Sequence, residues 1–452
     1  MDTIKSFFRK LHNNSLFLNQ RLFIAVGGIA TIFLLAFVYT GLFPIAQIAF
    51  FALLAFLLVD VVMLYANRTG IESRRILPEK LSNGDQNPVF IPCRNAYTFG
   101  VRLRIIDELP VQFQARDTEF HLGMIPGEEK ELRYELRPTK RGEYHFGALN
   151  VFASGPIGLV RRRYIFDADA MVPTYPSFIQ MRQYQIMAIS NRLQEMGVKQ
   201  VRRLGHTTEF EQIKEYVRGD DYRTLNWKAT ARSGKLMVNQ FRDERAQHIY
   251  CLIDKSRNMK MPFEGMSLLD YAINASLVLS NIALLKQDRA GIIAFSERID
   301  SIVKSSNRPT HMNLIMEVLY NQTTRYLEAD YERLYSAISR QVTQRSLLVL
   351  FTNFESLSAL RRMLPYLKRL NRTHLLVVVF FENTELRELL DAQPGSMEEI
   401  YIKTIAENFA YEKKQIVREL ERHGIIAILS PPQNLTVNTL NKYLELKARG
   451  MV

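Results

Sequence analysis

Two apolar stretches, residues 22–43 and 45–65, constrain this 452-residue chain more than any other feature. Each has about the 20 residues that a helix needs to cross a bilayer's hydrocarbon core. The only acid in either is Asp60, close enough to the end of the second for its carboxylate to reach the interface. Between the stretches lies an uncharged turn, residues 39–44, too short to hold a domain. The expected structure is a transmembrane helical hairpin over residues 22–65 with both ends on one face. Basic residues mark the cytoplasmic flank of short loops. Lys5, Arg9, Lys10 and Arg21 precede the hairpin, and Arg68, Arg74 and Arg75 follow it. The N-terminal segment 1–21 and everything after residue 65 are therefore expected in the cytoplasm. A cleaved signal peptide would have a shorter apolar region ending in small residues, whereas here a second apolar helix follows at once.

The nearly four hundred residues beyond the hairpin exceed one ordinary domain. Cys93 and Cys251 lie far apart in apparent strands, which supports neither a disulfide framework nor a cysteine zinc site and fits a reducing compartment. The formal charge of +13 is scattered or flanks the hairpin, without a dense stripe or a nucleic-acid reading motif. Attraction to anionic lipid and solvation account for it better than nucleic-acid binding.

From about residue 72 to 173 the pattern has period two. Leu132, Tyr134 and Leu136 alternate with Glu131, Arg133, Glu135 and Arg137, and Val101, Leu103 and Ile105 alternate with Arg102 and Arg104. Short strands broken by Gly and Pro predict an antiparallel β-sandwich over 66–175, a spacer or adaptor surface. A helical linker, 176–206, and a dense polar segment, 207–246, come next. Residues 247–452 alternate apolar strands (249–253, 290–295, 347–351, 375–381, 425–429) with amphipathic helices (268–286, 357–370, 398–422). Continuous apolar strands such as 375–381 predict an α/β domain with a mostly parallel sheet flanked by helices.

In open α/β sheets the functional loops follow the strand carboxyl ends. The first such loop reads Asp254-Lys255-Ser256-Arg257-Asn258, and the loop after 347–351 reads Thr352-Asn353-Phe354-Glu355. These resemble the von Willebrand factor type A fold, a Rossmann-type sheet whose first strand ends in D-x-S-x-S and offers oxygens to a divalent cation. Asn258 replaces the second Ser, and Asn353 stands where the family usually has Asp. The resemblance implies a weakened Mg²⁺ site of Asp254, Ser256, Asn258 and Asn353, with Thr323 or Thr324 supplying a further hydroxyl, that grips an acidic residue of a protein partner. The alternative is a loop in which Asp254 merely caps the next segment.

Residues 209–232 carry Glu209-Phe210, Glu215-Tyr216, Gly219-Asp220-Asp221, Arg223, Asn226-Trp227-Lys228 and Ala231-Arg232. This run resembles the signature of domain-of-unknown-function family 58, which includes G-D-D-x-R-x-I-D-W-K-x-S-A-R and precedes a von Willebrand A-like domain, often behind a transmembrane hairpin and a β-rich region. It departs at Asn226, where Asp is usual, and near Lys214. Acids among Arg218, Arg223, Lys228 and Arg232, around the chain's only Trp, suit two arrangements. One is a buried ion network that fixes the segment with Trp227 packed inside. The other is a partner-docking or catalytic surface, since Arg, Trp and Tyr dominate interface energetics.

Enzyme motifs such as G-x-x-x-x-G-K-S/T, G-x-S-x-G and H-E-x-x-H are absent, and His206 and His311 lack partners at metal-ligand spacing. The cations beside Asp220 and Asp221 keep both ionised, which argues against acid–base work. The family resemblance implies a non-enzymatic protein of the bacterial inner membrane that works with a MoxR-type AAA+ ATPase in assembling envelope protein complexes. The rival is a metal-dependent hydrolase built on Asp220, Asp221 and Asp254.

Overall fold

The computed structural model describes residues 15–67, 69–115, 119–167, 169–189, 197, 209–217, 220, 222–242, 246–324, 326–383 and 395–451. The chain divides into an N-terminal unit, Met1–Tyr175, and a C-terminal unit, Pro176–Val452.

The N-terminal unit contains helix α1 (Gln20–Val38), a 3₁₀ turn (Thr40–Leu42) and helix α2 (Phe43–Ala66). Asn19 caps α1 by accepting a hydrogen bond from the Gln20 amide, and a proline in the first turn of α2 suits that position because its missing N–H would have no helical partner. At about 1.5 Å per residue the two are roughly 28 and 36 Å long, enough to cross a bilayer. Their large apolar side chains stand unpacked, with Phe37 90%, Leu34 73% and Ile48 70% exposed. Apolar surface on that scale is costly in water and suits a lipid solvent, so the hairpin marks membrane association. A third helix, Leu268–Leu285, is also long and apolar enough to span, but 83% of it is buried in the C-terminal unit, where it is a core helix.

Asp60 does not reach outward from α2. It is fully buried, and its Oδ2 accepts hydrogen bonds from the amides of Leu159 and Val160 at 2.7 and 3.0 Å. An unpaired carboxylate would not survive burial, and these two backbone donors are what hold it there.

Strands β1 (Leu16–Leu18), β2 (Ile71–Ser73), β3 (Leu81–Ser82), β4 (Asn87–Asn95), β5 (Val101–Asp107), β6 (Glu119–Met124), β7 (Glu129–Leu136), β8 (Gly142–Phe146), β9 (Leu149–Ser154), β10 (Val160–Phe166) and β11 (Ala170–Tyr175) complete the unit. They form sheets ordered β1-β10-β9-β5-β6, β2-β4-β7 and β3-β11-β8. Only the short β3–β11 pair is parallel. Inward residues of the five-stranded sheet (Leu103, Ile105, Val151, Ala153) share one core with Ile91 and Cys93 of β4, as the alternation predicts. Strand β1 lies before the hairpin and pairs with the edge of β10, so the β-rich unit starts earlier than residue 66.

The C-terminal unit has helix α3 (Phe178–Ile189), ribbon strands β12 (Glu209–Glu215) and β13 (Met237–Arg242), and between them the short helix α4 (Trp227–Ser233). A six-stranded sheet follows: β14 (His248–Asp254), then, after a small hairpin of β15 (Pro262–Phe263) and β16 (Met266–Ser267), β17 (Arg289–Phe295), β18 (Ile299–Ser306), β19 (Leu347–Phe351), β20 (Leu375–Phe381) and β21 (Ile426–Ser430). The sheet order is β18-β17-β14-β19-β20-β21. Counted along the chain this is 3-2-1-4-5-6, all parallel except β18, which runs antiparallel to β17.

Both faces are covered. Cys251, Val349, Val377 and their neighbours pack with α3, α5 (Leu268–Leu285), α6 (His311–Tyr320) and α10 (Leu435–Ala448). Leu252, Leu350 and Val378 pack with α7 (Tyr331–Gln341), α8 (Leu357–Thr373) and α9 (Met397–Arg422). This two-sided burial explains the uninterrupted apolar run of β20. Most of the linker 176–206 lies outside the described residues, but its start is α3, whose Met181 and Tyr184 enter the core.

Candidate functional site

The loops at the carboxyl ends of β14 and β19 bring together Asp254, Ser256, Asn258 and Asn353. Asp254 is 2% exposed. Its Oδ1 accepts from the Ser256 amide at 2.8 Å and its Oδ2 from the Thr352 hydroxyl at 2.7 Å. The Tyr331 hydroxyl stands 2.8 Å from Thr352 Oγ1, so a hydroxyl chain from α7 ends on the carboxylate. Burial pushes the Asp254 carboxyl up, against the hydrogen bonds of Thr352 and Ser256. Burial raises the Tyr331 phenol too, and the neighbouring Asp254 adds to it. Asn258 and Asn353 face each other, the Asn258 amide donating to the Asn353 carbonyl at 3.3 Å.

Lys413, from α9, closes this corner. Its Nζ donates to Asn353 Oδ1 at 2.7 Å and to the Phe354 carbonyl at 2.5 Å. Burial depresses its pKa to about 8, against the pull of Glu355 and Glu412.

A hard divalent cation wants several free oxygens, mostly carboxylates. The single carboxylate here has a donor on each oxygen, and the Asn353 oxygen already holds an ammonium. Asn258 Oδ1 is the one buried acceptor at the site with no hydrogen-bond partner. The hydrogen bonds of Asp254 go to Ser256 and Thr352 rather than to Thr323 or Thr324, and among the described residues no cluster of three or more His, Cys, Asp or Glu could hold a metal. The donor set does not fit Mg²⁺: Lys413 brings positive charge to the place where the sequence pattern suggested a metal.

The signature segment is built as a β-ribbon closed by a capped helix. β12 and β13 pair antiparallel from Glu209↔Arg242 to Glu215↔Met237, with an irregularity at Phe210–Gln212. Asn226 caps α4 by accepting from the Ala229 amide at 3.0 Å, and its Nδ2 donates to Asn239 Oδ1 of β13 at 2.7 Å. An Asp at 226 could make the cap but could not donate to Asn239 Oδ1; the Asn239 amide would have to turn over to donate to it instead. Gly234, at φ +70°, ends the helix in the left-handed conformation that a side chain disfavours.

Among the described residues the signature forms no buried ion network. Trp227 and Tyr222 are each 69% exposed; Arg223, Lys228 and Arg232 are exposed as well. The Arg223 guanidinium lies 5.8 Å from the Tyr222 ring centre. Among the described residues two ion pairs hold the ribbon, Lys214–Asp220 at 3.0 Å and Lys235–Glu215 at 3.1 Å, both near the surface. Asp220 Oδ2 also accepts from the Val217 amide at 3.0 Å; that bond, then Lys214, keeps its carboxyl below the usual range. Tyr216 is half-buried, its amide donating to Leu236. Gly219, Asp221 and the side chain of Glu209 lie outside the described residues. A seven-residue helix on a two-stranded ribbon has too little interior to bury a Trp and three cations, so they face solvent.

His311 is buried with its Nε2 2.7 Å from the Ala290 carbonyl, a structural role; His206 lies outside the described residues. Sequence reasoning missed Lys413, Thr352 and Tyr331 as partners of this corner. Lys413 sits between Glu412 and Lys414 with nothing to set it apart from a solvated helix residue.

Together these features describe a membrane-associated chain whose C-terminal α/β unit carries a closed polar corner and an exposed aromatic and basic ribbon. A family model described as "Protein of unknown function DUF58" matches residues 212–415, from within β12 into α9. The "Uncharacterized protein YeaD" of Bacillus subtilis (strain 168) is 27% identical over 215 residues, 46% of this chain and 53% of that protein. The chain thus spans about half the length of this relative. Among solved structures, the conserved hypothetical protein BatB from Bacteroides thetaiotaomicron covers 45% of this chain and 99% of its own at 12% identity and a TM-score of 0.32. The ASH/PapD-like domain of human CEP192 covers 24% of this chain and 87% of its own at 14% identity and a TM-score of 0.19. At these scores neither structure supports an argument about fold or function.

Proposed function

We propose that this protein is a non-enzymatic membrane-anchored adaptor whose C-terminal unit docks a protein partner, a MoxR-type AAA+ ATPase, in the assembly or maturation of envelope complexes. The observation that carries the reading is the ribbon's exposed Trp227, Tyr222 and Arg223, with Lys228 and Arg232 beside them. Exposed aromatic and Arg side chains of this kind anchor interfaces. The strand order 3-2-1-4-5-6 with an antiparallel third strand supports a von Willebrand A-like reading of the sheet. The basic flanks of the hairpin favour a bacterial inner-membrane protein with its large units in the cytoplasm.

The hydrolase reading finds no support in the two described carboxylates, Asp221 lying outside the described residues. Asp220 is tied to Lys214 and Val217, and Asp254 is tied to Ser256 and Thr352. Neither is left free to bind a metal or to move a proton. Partner recognition in this account needs no metal, so a chelator should leave it unchanged.

The test is purification of the full chain from its native membranes in mild detergent, in nucleotide-free, ATP-analogue and ADP states. An AAA+ ATPase is expected with the wild type, and its recovery should fall on the order of thirtyfold with Trp227→Ala, as for a residue worth about 2 kcal/mol of binding. Absence of any ATPase in all three states would refute the proposal.

A further inference from the structure

Where α1 begins, the N-terminal unit concentrates basic side chains without acids to match. Arg21 is the second residue of α1. Asn19, just before it, donates from its amide to the Leu159 carbonyl at 2.9 Å and from Nδ2 to the Gly158 carbonyl at 2.8 Å. These bonds fix the start of the helix against the loop that enters β10. Arg102 extends from β5 to the same place: a Cβ built on Gly158 would lie 2.9 Å from Arg102 Nη2 and 3.4 Å from Arg21 Nη1. Two guanidinium groups therefore converge on one glycine, and neither has an ion-pair partner among the described residues. Like charges this close repel each other unless an anion sits with them.

The two arginines line an open groove with Gly100, Met124, Ile125 and Lys130. The one carboxylate lining it is already committed: Glu128 accepts from the Ile125 amide at 2.8 Å and pairs with Lys130 at 3.0 Å. Asp60, close to Gly155, accepts from the Leu159 and Val160 amides through Oδ2, and its buried Oδ1 has no hydrogen-bond partner among the described residues. The positive field extends further. Burial, and then Arg104, pulls Arg161 below its usual value; Arg102 adds to this and Glu119 opposes it.

The groove's depth in the bilayer identifies the anion. α1 is about as long as the hydrocarbon core is thick, which puts its first turn at the headgroup level. Ile125, at the rim, is 66% exposed and suits contact with acyl chains. We infer that Arg21 and Arg102 form a binding site for the phosphate of an anionic phospholipid headgroup, with Ile125 against its acyl chains. Arginine's planar fork suits phosphate, and each basic residue near an anionic bilayer adds about 1 kcal/mol to its attraction. The inference rests on α1 and α2 spanning the membrane, not on the ATPase partnership.

The experiment measures binding of phosphatidylglycerol to the full chain in detergent micelles by thermal shift, with phosphatidylcholine and inorganic phosphate as separate arms. Phosphatidylglycerol should stabilise the wild type, while the other two leave it unchanged at the same concentration. Arg21→Gln and Arg102→Gln should each weaken the apparent affinity about fivefold, and the double variant roughly thirtyfold. Arg133→Gln, on β7 and paired with Glu135, should leave it unchanged. Equal stabilisation by phosphatidylcholine, or an unaltered affinity in the double variant, would overturn the site. Equal stabilisation by inorganic phosphate would overturn the lipid assignment. Release of the wild type from membranes by alkaline carbonate would instead overturn the spanning hairpin, which keeps the two failures apart.

Discussion

The Asp254 corner and the signature ribbon belong to the same unit and carry the residues that look most like chemistry, yet they are built in opposite ways. In the corner each polar group turns inward: Asp254 holds Thr352 and Ser256, and Lys413 holds Asn353 and the Phe354 carbonyl. In the ribbon the aromatic and basic groups turn outward, leaving Trp227 and Tyr222 69% exposed. Buried polar groups that satisfy one another stabilise and specify a fold. Exposed aromatic and cationic groups contribute little to stability and remain available to a partner. Substitutions in the corner should therefore cost stability, and those in the ribbon should cost binding.

The sharpest way to break the contrast is Asp254→Ala, which strands two buried donors. It should destabilise the C-terminal unit by about 2–4 kcal/mol in denaturant unfolding of the full chain, with partner recovery per folded molecule unchanged. Lys413→Met, which leaves Asn353 Oδ1 and the Phe354 carbonyl unmet, should cost roughly 1–3 kcal/mol.

Lys413 also gives a pH signature. Its folded pKa of about 8 lies below the 10.5 of an ordinary lysine, so between those values the unfolded chain binds more protons than the native one. Its contribution to stability should therefore rise with pH across that window. The stability difference between wild type and Lys413→Met, followed from pH 8 upward, should move in favour of the wild type. A flat difference would mean that the ammonium is not desolvated. Asp254 has the opposite sign. Its folded pKa is raised, so its contribution is present below the unfolded carboxyl's pKa and is lost as pH rises through the folded value.

Smaller effects belong to the ribbon. Asn226→Ala removes the cap of α4 and should cost about 1 kcal/mol. Asn226→Asp should cost less, because the carboxylate still caps and the Asn239 amide can turn over to donate to it. Trp227→Ala should change stability by no more than about 0.5 kcal/mol. A large loss there would mean that Trp227 is packed rather than displayed.

How much of this the sequence disclosed depends on the reach of each interaction. The hairpin is legible because its length is set by the bilayer, and β20 because two-sided burial leaves seven apolar residues in a row. Strand β18 is not legible: as an edge strand its pattern Ile299-Asp300-Ser301-Ile302 is broken by polar residues. Strand β1 has only three residues and pairs with β10 more than 140 positions away. Among the candidate site residues, Asp254, Ser256, Asn258 and Asn353 lie in the loops after β14 and β19, which is where their positions after apolar strands put them. What their oxygens hold was not legible, since Thr352 and Lys413 reach them across 98 and 60 positions. Trp227 stands out in the sequence because it is unique, but whether it faces inward depends on the size of the ribbon under it, which composition does not reveal.

The most direct measurement of the central claim compares wild type, Trp227→Ala and Asp254→Asn, purified in parallel from native membranes, for AAA+ ATPase recovered per folded molecule. The account predicts a loss on the order of thirtyfold for Trp227→Ala and none for Asp254→Asn, with or without a chelator. An ATPase that follows Asp254 and divalent metal while ignoring Trp227 would contradict it.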